Sequence, residues 1–73
     1  MNIGSRLSSW IKWSGVSQRR LAAQIGVSPG AVTNWIKGDS NPSLRHVEAV
    51  AQAIGVSMPR FYGALPRERR PRP

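Results

Sequence analysis

Seventy-three residues are enough for one domain, and a chain this short leaves so much surface wet that its core must be built economically, which favours a compact helical bundle. The absence of cysteine excludes disulfides and thiolate metal sites, one histidine cannot build a metal site alone, and three acidic residues leave little for catalysis by paired carboxylates. Eleven Lys and Arg give a net charge of +8, self-repulsive unless the partner is a polyanion; the four Arg and one Glu of residues 66–73 account for +3 of it, leaving +5 and a basic face on the folded part.

No stretch approaches the roughly 20 apolar residues that span a bilayer, and MNIGSRLSSWIKWSG lacks an uninterrupted apolar run followed by a small-residue cleavage site. The expectation is a soluble, unprocessed cytoplasmic protein with no cofactor, metal or small-molecule ligand. The first element is an amphipathic helix from Ile3 to Ser14: Ile3, Leu7, Trp10 and Ile11 form one stripe, Asn2 is available as its cap, and Gly15 closes it. Trp13 lies off that stripe and is expected to be partly exposed. Ser17 caps a second helix through Ile25, with Leu21, Ala22 and Ile25 inward, and Gly26 stops it.

Ser28 caps a third helix, Pro29 sits at its first position where the missing N–H costs nothing, and the helix runs to about Lys37 before Gly38. Val32, Trp35 and Ile36 give it an apolar side. The segment GDSNPS reads as a turn, because Pro42 biases Asn41 away from helical geometry. Ser43 then caps a fourth helix whose inward stripe is Leu44, Val47, Val50, Ala51 and Ile54, ended by Gly55. Ser57 caps a short fifth helix containing Met58, Phe61 and Tyr62, with Pro59 tolerated in its first turn. The expected organisation is all-α, with one five-helix domain over residues 1–65 and an extended, solvated basic arm over residues 66–73, which carry three prolines and no periodicity.

Helices two and three are separated only by Gly26, Val27 and Ser28, which forces a steep angle between them. Ala22 is small where the crossing helix comes close, Gly26 accepts a positive backbone angle, and Val27 plugs the corner. Leu21, Ile25, Val32 and Trp35 then share a core. The opposite face of helix three, with Pro29, Gly30, Thr33, Asn34 and Lys37, is left free of large apolar groups, as a surface that reads base edges must be.

The run SQRRLAAQIGVSPGAVTNWIKGDSNPSLRHVEAVAQAIGVS resembles the lambda-repressor-like, Cro/CI-type (XRE) helix-turn-helix family over about residues 3 to 62. Leu21, Ala22, Ile25, Gly26, Val27, Val32 and Trp35 occupy that family's core and turn positions. The resemblance implies a compact five-helix fold used as a DNA-binding dimer. It implies that Gln18 clamps a backbone phosphate and braces the recognition helix, and that Pro29, Gly30 and Asn34 face base edges. Two departures matter. The first two recognition positions often carry long polar side chains, whereas Pro29 offers ring carbons and Gly30 only room for backbone approach, so hydrogen-bonded reading shifts toward Thr33 and Asn34. Ile36 stands where the family frequently has Glu and is expected to add packing.

Arg19, Arg20 and Lys37 join Gln18 and Ser28 as phosphate candidates, and Ser43 with Arg45 presents a helix N-terminus and a cation beside the turn. Trp10 and Trp35 fit core stripes rather than base-stacking platforms, and His46 reads as a surface residue with no catalytic constellation around it in sequence. Met58, Phe61, Tyr62 and Leu65 form an apolar cluster expected at a two-fold homodimer interface. The leading reading is a transcriptional regulator that binds double-stranded operator DNA and is not an enzyme. The alternative is a protein-interaction adaptor or antitoxin-type module, which calls for a large exposed apolar patch. Membrane binding by the basic, Trp-rich first helix is disfavoured by its Ser and Gly content.

Overall fold

The computed structural model describes residues 3–66 and contains, in chain order, α1 (Ile3–Ser14), α2 (Gln18–Ile25), α3 (Pro29–Lys37), α4 (Leu44–Ile54) and α5 (Met58–Tyr62). The cap assigned to Asn2 and the basic arm beyond Pro66 lie outside the described residues. Each boundary has a local cause. Ser17, Ser28, Ser43 and Ser57 sit in extended conformation and accept the N–H of Arg20, Ala31, His46 and Arg60 through their hydroxyl oxygens, satisfying donors that a helix start leaves without partners.

The stops are equally local. At Gly26, with φ of 79°, the chain turns left-handed, and the N–H groups of Gly26 and Val27 both return to the Ala22 carbonyl. Without a Cβ this conformation is unstrained, so the connection between α2 and α3 stays short.

One core joins all five helices: Leu7, Trp10, Ile11 and Trp13 from α1, Leu21 and Ala22 from α2, Val32 and Trp35 from α3, Val47, Val50, Ala51 and Ile54 from α4, with Val56 and Phe61. Helix α3 packs on α1 and α2, while α4 packs on α2 and α5. Ile25, Val27 and Ile36 are half-buried against this core. Among the described residues no helix is long and apolar enough to cross a membrane.

Three expectations are corrected by packing. Trp13 is buried, because its ring meets Trp10 edge-on at 5.2 Å and the Arg60 guanidinium covers it 5.2 Å from the ring centre. Leu44 is not part of the α4 core stripe: it is 63% exposed at the first helical position. Phe61 has no exposed surface at all. It stacks on Trp10 at 6.3 Å, so it is a core residue and is closed to a second copy of the chain.

A contact with no forecast in the sequence explains how such a short α5 stays docked. Arg6, on α1, is buried and donates through Nη1 to the carbonyls of Phe61 and Gly63, both at 2.7 Å. Trp10 Nε1 donates to the same Phe61 carbonyl at 3.0 Å. Carbonyls at a helix end lack intrahelical donors and carry partial negative charge, so a cation with two such bonds stabilises this end.

Candidate nucleic-acid interface

The α3 face forms because the helix has two sides of different chemistry. Val32 and Trp35 point inward and hold α3 against α1 and α2, which leaves Pro29, Gly30, Asn34 and Lys37 exposed and Thr33 half-buried. Positions 30 and 34, and 29, 33 and 37, are successive turns of one surface. The Asn34 side-chain amide makes no hydrogen bond to the described residues, whereas its backbone carbonyl accepts the N–H groups of Gly38 and Asp39, both at 3.0 Å. Backbone needs are thus met without the amide, and the amide remains available.

Thr33 is engaged differently. Its hydroxyl lies 3.1 Å from Gln18 Oε1 and 3.2 Å from the Pro29 carbonyl, and its single proton is shared between these acceptors. Gln18 therefore links the start of α2 to the middle of α3, and while its oxygen accepts from Thr33 its NH2 makes no hydrogen bond to the described residues. The arrangement favours Thr33 as a brace within the protein over Thr33 as a reader of base edges.

The remaining phosphate candidates Arg19, Arg20, Ser28, Lys37, Ser43 and Arg45 are all exposed, and Arg20 lines a groove with Val16, Ala23, Gln24 and Ala53 on the α4 side of α2. Ser28 uses its hydroxyl oxygen as the α3 cap. Ser43 is tied more fully: its hydroxyl oxygen accepts the His46 N–H at 3.2 Å and sits 3.0 Å from His46 Nδ1. His46 is half-buried rather than a plain surface residue, because its ring packs against Trp35 with centres 5.0 Å apart. The start of α4 is thereby joined to the anchored side of α3.

Of the four residues assigned to a dimer interface, Tyr62 and Leu65 are exposed, Met58 is half-buried against the core, and Phe61 is enclosed as described. Leu44, which the sequence reading placed inside, instead lines an apolar groove with Ile3, Pro42, Val47 and Tyr62. Among the described residues there is no group of three or more His, Cys, Asp or Glu side chains that could hold a metal ion.

Two helices joined through a short glycine turn, the second with a buried apolar side and an exposed polar one, make a helix-turn-helix unit of the kind that binds DNA. The family model for helix-turn-helix proteins matches residues 7–61, and the chain belongs to that family in its XRE, or Cro/CI, type: it is a DNA-binding transcription regulator. Among solved structures it is similar to the clp gene regulator ClgR from C. glutamicum, with 30% sequence identity, a TM-score of 0.75, and coverage of 82% of this chain and 77% of that one. No curated protein matches the chain.

Proposed function

We propose that this protein is a repressor or Cro-like regulator of phage or bacterial origin, and not an enzyme. It works in the cytoplasm as a homodimer on a roughly palindromic operator, each α3 entering the major groove one helical turn from the other and the complex occluding a promoter. The observation that carries this reading is the free side of α3: Asn34 and Lys37 are exposed and the Asn34 amide is unengaged, although Val32 and Trp35 hold the helix rigidly. Asn34 reads a base edge, Pro29 touches a methyl group, and Gly30 admits the duplex. Gln18, Arg19, Arg20, Lys37 and Arg45, with Ser28 and Ser43, meet the phosphates.

Selection of bound sequences from random duplex DNA tests it directly, returning a two-fold site with half-sites about 34 Å apart. Binding should also be steeply salt-dependent. Each phosphate contact adds about 0.9 to the logarithmic slope, and a dimer with four cationic contacts per protomer should lose roughly ten-thousandfold in affinity between ~50 and ~200 mM salt. A flat salt response in a filter or fluorescence assay contradicts the DNA reading.

Self-association is assigned to Leu44, Met58, Tyr62 and Leu65. Leu44, Tyr62 and Leu65 are large apolar side chains left in water, on a chain whose net charge otherwise drives copies apart. A closed two-fold pair covers such a patch with itself and sets the symmetry a palindrome requires. Leu44→Arg should leave helix content unchanged, because the side chain is outside the core, and should reduce the sedimenting mass on operator DNA to that of a monomer. Unchanged mass places the interface elsewhere.

A further inference from the structure

Gly30 is the second residue of α3, and nothing within the protomer calls for a glycine there. Its φ is not positive, unlike those of Gly15, Gly26, Gly38 and Gly55. A Cβ placed on it meets nothing nearer than the Ser28 hydroxyl oxygen at 4.0 Å, an ordinary contact. The residue is exposed. Glycine in a helix forgoes stability that alanine supplies, since it loses more backbone freedom on folding. A glycine that neither the backbone angle nor the packing explains points to something outside the protomer.

The neighbours on the same face indicate what that is. One turn on from Gly30 lies Asn34, whose amide is unengaged, while the Thr33 hydroxyl is held by Gln18 and Pro29. Asparagine is short, so its amide reaches a base edge only if the helix backbone lies deep in the groove. We propose that Gly30 is kept bare for the duplex: the missing side chain lets the first turn of α3 sit deeper in the major groove, and that depth brings the Asn34 amide into hydrogen-bonding range. Gly30 is a positioning residue acting through Asn34, and its role rests on the DNA-reading face proposed for α3.

The test compares the full chain with Gly30→Ala and Gly30→Leu, measuring thermal unfolding together with affinity for the site the parent selects and for a random duplex. Alanine should raise Tm by about 2 to 8 °C, because it fits the backbone and restricts the unfolded chain. Affinity for the selected site should nevertheless fall by about fivefold to 150-fold, more for leucine, with little change on random DNA. Asn34→Ala should then cost far less in the Gly30→Leu background than in the parent, because the amide is already held away from its base. Parental affinity in a stabilised Gly30→Ala, or an undiminished Asn34→Ala loss in Gly30→Leu, overturns the proposal. A parent that selects no sequence overturns the DNA-reading face itself and this inference with it, a failure visible in the parent alone.

Discussion

Phe61→Ala should cost about 3 to 5 kcal/mol of folding stability, and Phe61→Arg should leave no folded protein. The ring has no exposed surface, stacks on Trp10 at 6.3 Å and meets Tyr62 edge-on at 5.3 Å, so truncation opens a cavity between α1 and α5. The same residue's carbonyl holds the Arg6 and Trp10 donors, and loosening α5 weakens one of the acceptors of a buried guanidinium. A domain of this length is stable by only about 4 to 11 kcal/mol, so the alanine variant loses a large fraction and an uncompensated buried cation exceeds what remains. Urea denaturation followed by circular dichroism measures the loss. Tyr62→Ala, at a half-exposed neighbour, is the control and should lose much less. A Phe61→Ala cost under about 1 kcal/mol would mean that α5 is only loosely attached and that the core ends at α4.

The helix boundaries were legible because they are decided within four or five residues. A serine that accepts the N–H three positions on needs no tertiary information, and neither does a glycine in the left-handed conformation after Ile25, Lys37 or Ile54. The inward faces of α2 and α3 were legible for the same reason, as residues at helical spacing on short helices have one side on which to be apolar. What the sequence hid depends on α5. Trp13 falls outside the α1 stripe, yet Arg60 arrives from α5 to cover it. Phe61 looks like surface apolarity on a five-residue helix until Arg6 and Trp10 are seen to reach its carbonyl from 55 and 51 positions away. Arg6 carried a usable signal, since it lies four residues before Trp10 and adjoins Leu7, but its charge argued for solvent. Leu44 is the converse case: periodicity extended the α4 stripe to its first residue, which lies 63% exposed on the groove formed with Ile3, Pro42, Val47 and Tyr62. Helical spacing sufficed to put Pro29, Gly30, Asn34 and Lys37 on the exposed side of α3, whereas the engagement of Thr33 with Gln18 depends on how α2 and α3 pack and could not be read from spacing.

Specificity and affinity should separate on replacing Asn34 and Arg19. The Asn34 amide is exposed, unengaged and carried by a helix locked through Val32 and Trp35, so it can present a donor and an acceptor to an adenine edge in fixed register. Asn34→Ala should then cost about 1 to 3 kcal/mol on the selected site and little on random duplex, since nothing else about the surface charge changes. Arg19 is exposed on the first turn of α2, beside Gln18. Arg19→Ala should weaken every sequence by a similar factor and flatten the salt slope by about one unit, because one fewer counterion is released. Fold is preserved in both, as neither side chain touches the core, and circular dichroism verifies it before affinities are compared. Equal losses from Asn34→Ala on selected and random duplexes would take Asn34 off the reading face. With the Thr33 hydroxyl already committed to Gln18 and Pro29, base reading would then fall to Lys37, whose ammonium distinguishes guanine by O6 and N7 but cannot make the paired contact that asparagine makes to adenine.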